Sequence, residues 1–313
     1  MRDVLRRLLA GELTEEEAVS ELRKVQLEEL GGRARLDLGR FLRRGIPEVV
    51  LATGKRPADA ARLAVAMAER QGQGLISRMT AEHRSALEEL SAESGMHVIA
   101  YAASARVLRA GFEPEASSGK VGILTAGTSD LPAAEEAQMV AEACGLEVKI
   151  DADLGVAGLH RFVGPLAATL EWGCDVIVVA AGMDGVLPGL VAGLVDVPVI
   201  GLPVSTGYGR GGAGEGALTT MLQSCSTGLV VVNIDNGVGA GAAAVLIAQG
   251  RLRGNSTAST AKTSAPTSRE PKSAAATSQD AAAPPGIANS NARSTTARST
   301  PARSHGNPRR RRP

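Results

Sequence analysis

From Val121 to about Gly250 the apolar positions repeat one pattern five times: a short β-branched run, a Gly- or Asp-containing turn, then an Ala- and Leu-rich stretch. The runs are VGILTA, LEVKID, DVIVVAA, VPVIGLPV and LVVVNI, and the stretches between them predict helices at about 132–144, 159–172, 185–195, 215–226 and 239–250. Runs that are apolar on both faces and separated by helices are parallel strands covered on both sides, joined by right-handed crossovers. The pattern therefore predicts an α/β fold with a doubly wound parallel sheet, whose ligands sit at the carboxyl ends of the strands.

The first 115 residues are less regular. They predict a helix at 2–10 and a second one opened by the capping box Thr14-Glu15-Glu16-Glu17. Strands follow near 47–53, 74–79 and 97–102, with helices at 58–70 and 81–94 between them. This reads as a smaller N-terminal α/β domain over 1–115, joined by the linker Glu113 to Lys120 to a sheet domain over 119–250. Residues 251–313 are Ser, Thr, Ala, Pro, Asn and Arg, ending in Arg309, Arg310, Arg311 and Arg312. Such a segment cannot bury enough surface to offset its ordering entropy, so a disordered tail is expected. It is either a dispensable extension or a tether for nucleic acid or another acidic surface, and the first reading is preferred on composition.

Composition sharpens this picture in three ways. Only six of the 313 residues are aromatic, so the core is built from small aliphatics and offers no stacking platform for bases. Through residue 250 there are 22 Lys and Arg against 31 Asp and Glu, a net −9, whereas 12 against two from Arg251 onward make the tail +10. Cys144, Cys174 and Cys225 cannot all pair and none sits in a C-x-x-C, which points to a reducing cytoplasm and away from a zinc ribbon. No signal-like apolar core and no run long enough to span a membrane is present, so a soluble intracellular protein is expected.

Candidate chemistry lies in the turns that follow the strands. The first strand ends in Gly127-Thr128-Ser129-Asp130-Leu131-Pro132, where hydroxyls and helix-start N–H groups suit an anion and Asp130 suits ribose hydroxyls; Ser129 or Asp130 could equally cap the helix. The second strand leads to Asp153 and then His160-Arg161, of which the arginine suits phosphate and the histidine is either a site residue or part of a structural turn. The third ends in Gly182-Met183-Asp184-Gly185-Val186-Leu187-Pro188-Gly189. The fourth carries Ser205 and a G-x-G-x-x-G at Gly207, Gly209 and Gly212, but a dinucleotide fingerprint belongs to the first βα unit, so a lid or phosphate cradle is all this spacing supports. Cys225 closes the helix before the fifth strand, where a lone thiol is ordinarily apolar filler.

Taken together, GTSDLP, GVAGLHR, AGMDGVLPGLVAGLV, PVIGLPVSTGYG, LQSC and VVNIDNGVGAG resemble the LarB family of pyridinium-3,5-biscarboxylic acid mononucleotide synthases, itself similar in its C-terminal half to the PurE carboxylases and mutases. The resemblance extends to the N-terminal half through Asp37, Arg40, Arg43, Gly45, Pro47, Glu48, Gly54 and Lys55, and covers about residues 30–250. It implies a PurE-like Rossmannoid sheet and a cytoplasmic homo-octamer. It further implies an enzyme that carboxylates nicotinic acid adenine dinucleotide at ring carbon 5 and hydrolyses its phosphoanhydride, using carbon dioxide or bicarbonate and no tightly bound organic cofactor.

By this resemblance Cys225 is the nucleophile, Asp184 the proton acceptor or carboxyl-site acid, and Asp153 and His160 lie near the ring or the phosphoanhydride. Thr128, Ser129 and Arg161 would hold phosphate, Asp130 the nicotinate ribose, and Arg40, Arg43 and Lys55 the adenylate half, with Ser205 a further substrate-binding residue. Mg2+ would help neutralise the pyrophosphate, with no ligand set legible. LarE-type sulfur-inserting and LarC-type nickel-inserting enzymes would act on the product. PurE enzymes carry a catalytic His just ahead of the Leu-Pro-Gly turn, whereas here Gly185 and Val186 precede Leu187. That departure disfavours the alternative, an aminoimidazole ribotide carboxylase or mutase.

Overall fold

The computed structural model describes residues 2–22, 27–30 and 34–263. Helices α1 (Arg2–Leu9) and α2 (Glu15–Leu22) come first. The expected reciprocal cap opens α2: the Thr14 N–H donates to Glu17 Oε2 (2.9 Å) and the Glu17 N–H to Thr14 Oγ1 (3.2 Å). An antiparallel hairpin of β1 (Leu27–Leu30) and β2 (Ala34–Asp37) and the short α3 (Arg40–Arg44) lead into β3 (Val49–Leu51), α4 (Pro57–Gln71), β4 (Gln73–Ser77), α5 (Ala81–Glu93), β5 (His97–Ala100) and β6 (Ala105–Leu108). Strands β3 to β6 form a sheet of order β3-β4-β6-β5, parallel between β3 and β4 and antiparallel elsewhere. The hairpin and β6 are elements beyond those expected from sequence.

The second half follows the five-fold pattern: β7 (Lys120–Thr125), α6 (Leu131–Ala143), β8 (Glu147–Asp151), α7 (Leu159–Glu171), β9 (Val176–Ala181), α8 (Leu187–Ala192), β10 (Val199–Pro203), α9 (Glu215–Leu222), β11 (Leu229–Val231) and α10 (Gly237–Thr263). The five strands pair in parallel in the order β11-β10-β9-β7-β8. Burial explains which runs are apolar throughout. Interior β9 and β10 are buried at every position, whereas edge strand β8, with Lys149 and Asp151, is only half-buried. Chain order reverses between β7 and β9, which makes their carboxyl ends the topological switch point.

Alternation along the strands separates two cores. Ile123, Val178 and Ile200 face α6 and α10, while Leu124, Ile177, Val179 and Val199 face α7, α8 and α9. The first core also takes in Ile46 and Leu75, so the N-terminal sheet packs on the α6/α10 side and both sheets belong to one compact unit, residues 1–265. Side chains across this junction reinforce the packing. The buried Arg106 reaches Gln73 Oε1 (3.3 Å) and Glu142 (3.8 Å), and the Tyr101 hydroxyl donates to Glu142 Oε2 (2.6 Å).

Helices α6 and α10 meet through small residues. A Cβ on Gly237 would lie 2.1 Å from the Ala133 carbonyl oxygen, and no side chain fits there. Helix α8 is shorter than the expected 185–195, and α10 runs past residue 251, where the tail was placed, to Thr263; no proline interrupts the chain between there and Pro266. The remainder of the expected tail, 264–313, lies outside the described residues. Among the described residues no helix is long and apolar enough to cross a membrane.

Candidate active site

The loops at the carboxyl ends of the parallel sheet carry the irregular backbone. Asp153, Met183, Ala213 and Asp235 hold left-handed φ values of 62°, 51°, 56° and 54° after β8, β9, β10 and β11, and Arg78 does the same (55°) after β4. Each such residue costs about 1 kcal/mol or more, and residues of this kind cluster where function overrides local preference.

Asp130 organises the switch point. It is 3% exposed, at the position that would cap α6, yet makes no capping bond. Its Oδ2 instead accepts the Gly127 N–H (2.8 Å) and its Oδ1 the Thr206 hydroxyl (2.9 Å), tying the β7 turn to the β10 loop. Burial raises its pKa, opposed by hydrogen bonds from Gly127, Thr206 and Gly182. The β9 turn joins the same knot through the Met183 N–H, which donates to the Thr206 carbonyl (3.0 Å). Here the missing side chain of Gly182 is required, because its Cβ would fall 2.3 Å from that carbonyl oxygen.

A cavity of about 380 Å³ opens beside this knot on the α6/α10 side. Ser129, Glu136, Ser205, Thr206 and Asp235 line it from the parallel sheet, and Arg78, Met79 and Ala103 from the N-terminal sheet. The Asp235 carboxylate accepts the Ser205 N–H (2.8 Å), and Arg78 Nη2 donates to the Asp235 backbone carbonyl. Glu136, 4% exposed, is pushed up to about 7 by burial, against the pull of the Arg78 guanidinium and of N–H groups from Val238 and Arg78.

Cys225 belongs to a different groove, of about 630 Å³, between α8 and α9 on the opposite face of the sheet. Gly185, Val186, Gly189, Thr220, Gln223, Ser224 and Ser226 line it with the thiol. Cys225 is exposed, whereas Cys144 and Cys174 are buried, which pushes their thiols up to about 12 and about 11. Ser226 fixes the turn by donating to the Gly189 carbonyl (2.7 Å).

The structure therefore divides the residues expected from sequence. Ser129 and Ser205 share the cavity, with Asp130 behind it and Thr128 exposed on the same turn. Asp184 is exposed and directly precedes Gly185 of the cysteine groove. Asp153 and Arg161 pair with each other (2.6 Å), and His160 is exposed in the first turn of α7 with no hydrogen-bond partner among the described residues. Of the N-terminal cations, Arg43 pairs with Asp37 (2.6 Å), Lys55 donates to the Leu51 carbonyl (2.7 Å) and Arg40 is exposed; none of the three lines the cavity. The cation that the N-terminal sheet brings there is Arg78, which the sequence places inside the expected strand 74–79 but which lies in the turn between β4, ending at Ser77, and Thr80, the cap of α5.

A family model described as AIR carboxylase matches residues 120–263, and one described as LarB/PurE-like N-terminal domain matches residues 27–111. An uncharacterized protein of Methanocaldococcus jannaschii is 38% identical over 257 residues, which span 80% of this chain and 97% of that one. The chain belongs to the PurE-related family. That family is one of carboxylases and mutases. PurE-related relatives named N5-carboxyaminoimidazole ribonucleotide mutase match more narrowly. The enzyme of Pyrococcus abyssi is 38% identical over 28% of this chain and 50% of its own length, and that of Thermotoga maritima 30% identical over 41% and 74%. A crystal structure of a PurE2 variant from Treponema denticola covers 47% of this chain and 98% of its own at 20% identity, with a TM-score of 0.32.

Proposed function

We propose that this PurE-related enzyme is a LarB-type synthase, which converts nicotinic acid adenine dinucleotide, carbon dioxide or bicarbonate, and water into AMP and pyridinium-3,5-biscarboxylic acid mononucleotide. The observation that carries the reading is the solvent-open Cys225 in the same groove as Gly185 and Val186, the two residues ahead of Leu187 where a purine-type enzyme would have its histidine. The match of the LarB/PurE-like N-terminal model and the resemblance of the strand-end motifs lend further support.

The chemistry explains the need for a thiol. A pyridinium ring is electron-poor and does not attack carbon dioxide. Addition of the Cys225 thiolate at ring carbon 4 places the ring electrons in an enamine whose carbon 5 is nucleophilic. Carbon 5 bonds to carbon dioxide, a base removes the carbon 5 proton, and the electrons of that C–H bond expel the thiolate and restore the aromatic ring. Asp184, exposed beside the groove, is our candidate base. Water then cleaves the phosphoanhydride, with Ser129, Ser205 and Arg161 holding phosphate oxygens and His160 beside them. Among the described residues no group of three or more His, Cys, Asp or Glu is arranged to hold a metal ion, so in this proposal Mg2+ rides on the substrate's pyrophosphate. We also propose a homo-octamer, for which the exposed Leu159, Val163, Leu194 and Leu222 offer apolar surface.

The test is mass spectrometry of the products formed from the dinucleotide, bicarbonate and Mg2+, with Cys225→Ala run in parallel. AMP and a mononucleotide heavier by one carboxylate, both absent with the variant, are expected. Absence of carboxylated product from folded wild type would remove the synthase. Turnover of aminoimidazole ribotide by wild type and Cys225→Ala alike would instead favour the purine-type reaction.

A further inference from the structure

The two cavities lie on opposite faces of one sheet, and their walls touch. Gly185 and Val186, after β9, line the cysteine groove; Ser205 and Thr206, after β10, line the other cavity. The hydrogen bond from the Met183 N–H to the Thr206 carbonyl (3.0 Å) joins those two walls at the carboxyl edge.

We propose that the cavity between the two sheets binds the adenylate half of the dinucleotide, with Arg78 as its phosphate-binding residue and Glu136 and Asp235 as acceptors for sugar hydroxyls. This deepens the synthase reading and rests on it. The division of labour follows from the chemistry. The pyridinium ring must meet the Cys225 thiol on the α8/α9 side, which leaves the second nucleotide for the α6/α10 side.

The lining fits such a ligand. A cavity of about 380 Å³ is within the usual range for a small-molecule site. A guanidinium has five N–H donors, and the hydrogen bond described for the Arg78 guanidinium uses Nη2 toward the Asp235 carbonyl, which orients the group and leaves donors for an anion. Ser129 and Ser205 add hydroxyl donors at the same rim. The two carboxyl groups would repel a bare phosphate but accept from a ribose diol, so the set suits a nucleotide better than an inorganic anion. Burial, which lifts Glu136 to about 7, also limits its negative charge near neutral pH.

The backbone gives an independent reason to single out Arg78. It holds φ 55° with a long side chain, in a turn that comes from the N-terminal sheet and lies outside residues 120–263, which the AIR carboxylase model matches. The N-terminal half thus adds a cation where the parallel sheet alone supplies hydroxyls and carboxylates.

The experiment is calorimetric titration of the full chain with AMP, adenosine, nicotinic acid mononucleotide and the intact dinucleotide. Wild type is compared with Arg78→Gly, which suits the left-handed backbone and so preserves the fold, and with Arg78→Lys, which keeps the charge. The expected result is AMP and dinucleotide affinity weaker by on the order of ten-fold or more in Arg78→Gly, smaller losses in Arg78→Lys, and unchanged affinity for adenosine and the mononucleotide. Dinucleotide and AMP binding that is indifferent to Arg78 would overturn the inference while leaving the synthase standing, as would a loss confined to the mononucleotide. Failure of wild type to bind either AMP or the dinucleotide would overturn both.

Discussion

Replacing Glu136 with Gln tests the energetics of the inter-sheet cavity without reference to catalysis. Burial dominates at this site, and Asp235 adds to the rise; together they outweigh Arg78 and the N–H groups of Val238 and Arg78, so the carboxyl titrates at about 7 instead of 4.5. A folded pKa above the unfolded one means that the native state binds the proton more tightly. The stability this confers is complete below about 4.5 and is lost as pH rises through about 7. At about 1.4 kcal/mol for each factor of ten in proton affinity, the loss amounts to about 3 kcal/mol. The glutamine side chain keeps an acceptor for the backbone N–H groups but does not titrate. Urea unfolding from pH 4.5 to 8 should show Glu136→Gln gaining about 3 kcal/mol on wild type across that range. Parallel stability curves for the two proteins would refute the reasoning, since they would mean that Glu136 ionises alike in the folded and unfolded chain.

Native protein treated with iodoacetamide near pH 8 should be alkylated at Cys225 alone, because burial hides Cys144 and Cys174 and holds their thiols near 12 and 11; peptide mass spectrometry reads the sites, and labelling of Cys174 at a comparable rate would contradict the burial described. Gly182→Ala should destabilise by about 1–3 kcal/mol, since the new methyl group meets Thr206 and forces the β9 and β10 loops apart. Chemical denaturation measures this, and a change below 0.5 kcal/mol, roughly the scatter of surface substitutions, would show that the knot yields freely.

What the sequence revealed follows from how each feature is encoded. The parallel sheet was legible because β7, β9 and β10 are interior strands and leave uninterrupted apolar runs. The same sheet law located Ser129 and Ser205 at strand ends. Strand β6 is not legible because ARVL is only four residues long and carries a charge in its middle; in the structure Arg106 is buried through Gln73 and Glu142, partners remote in sequence. Glu136 and Arg78 escaped for a similar reason. Midway along an alanine-rich helix a glutamate reads as solvated, and nothing local marks an arginine for a left-handed turn; only the docking of the N-terminal sheet makes either part of a cavity. Cys225 was visible as a residue type, but which face of the sheet it occupies is set by the α9 crossover and not by its neighbours.

The seam between α6 and α10 has a consequence for how the chain is made. Gly241 rests against the Ala137 carbonyl, about a hundred residues earlier in the sequence, and Ala240, Ala244, Val245 and Ala248 complete the core that Ile123 and Val140 begin. During synthesis the apolar side of α6 is finished long before its cover emerges from the ribosome. The nascent chain must therefore carry an open hydrophobic face through the translation of four strands and three helices, the condition under which long-range α/β proteins aggregate. Late substitutions along α10 should accordingly be felt first as lost yield in the cell, before any loss is seen in the folded protein that survives.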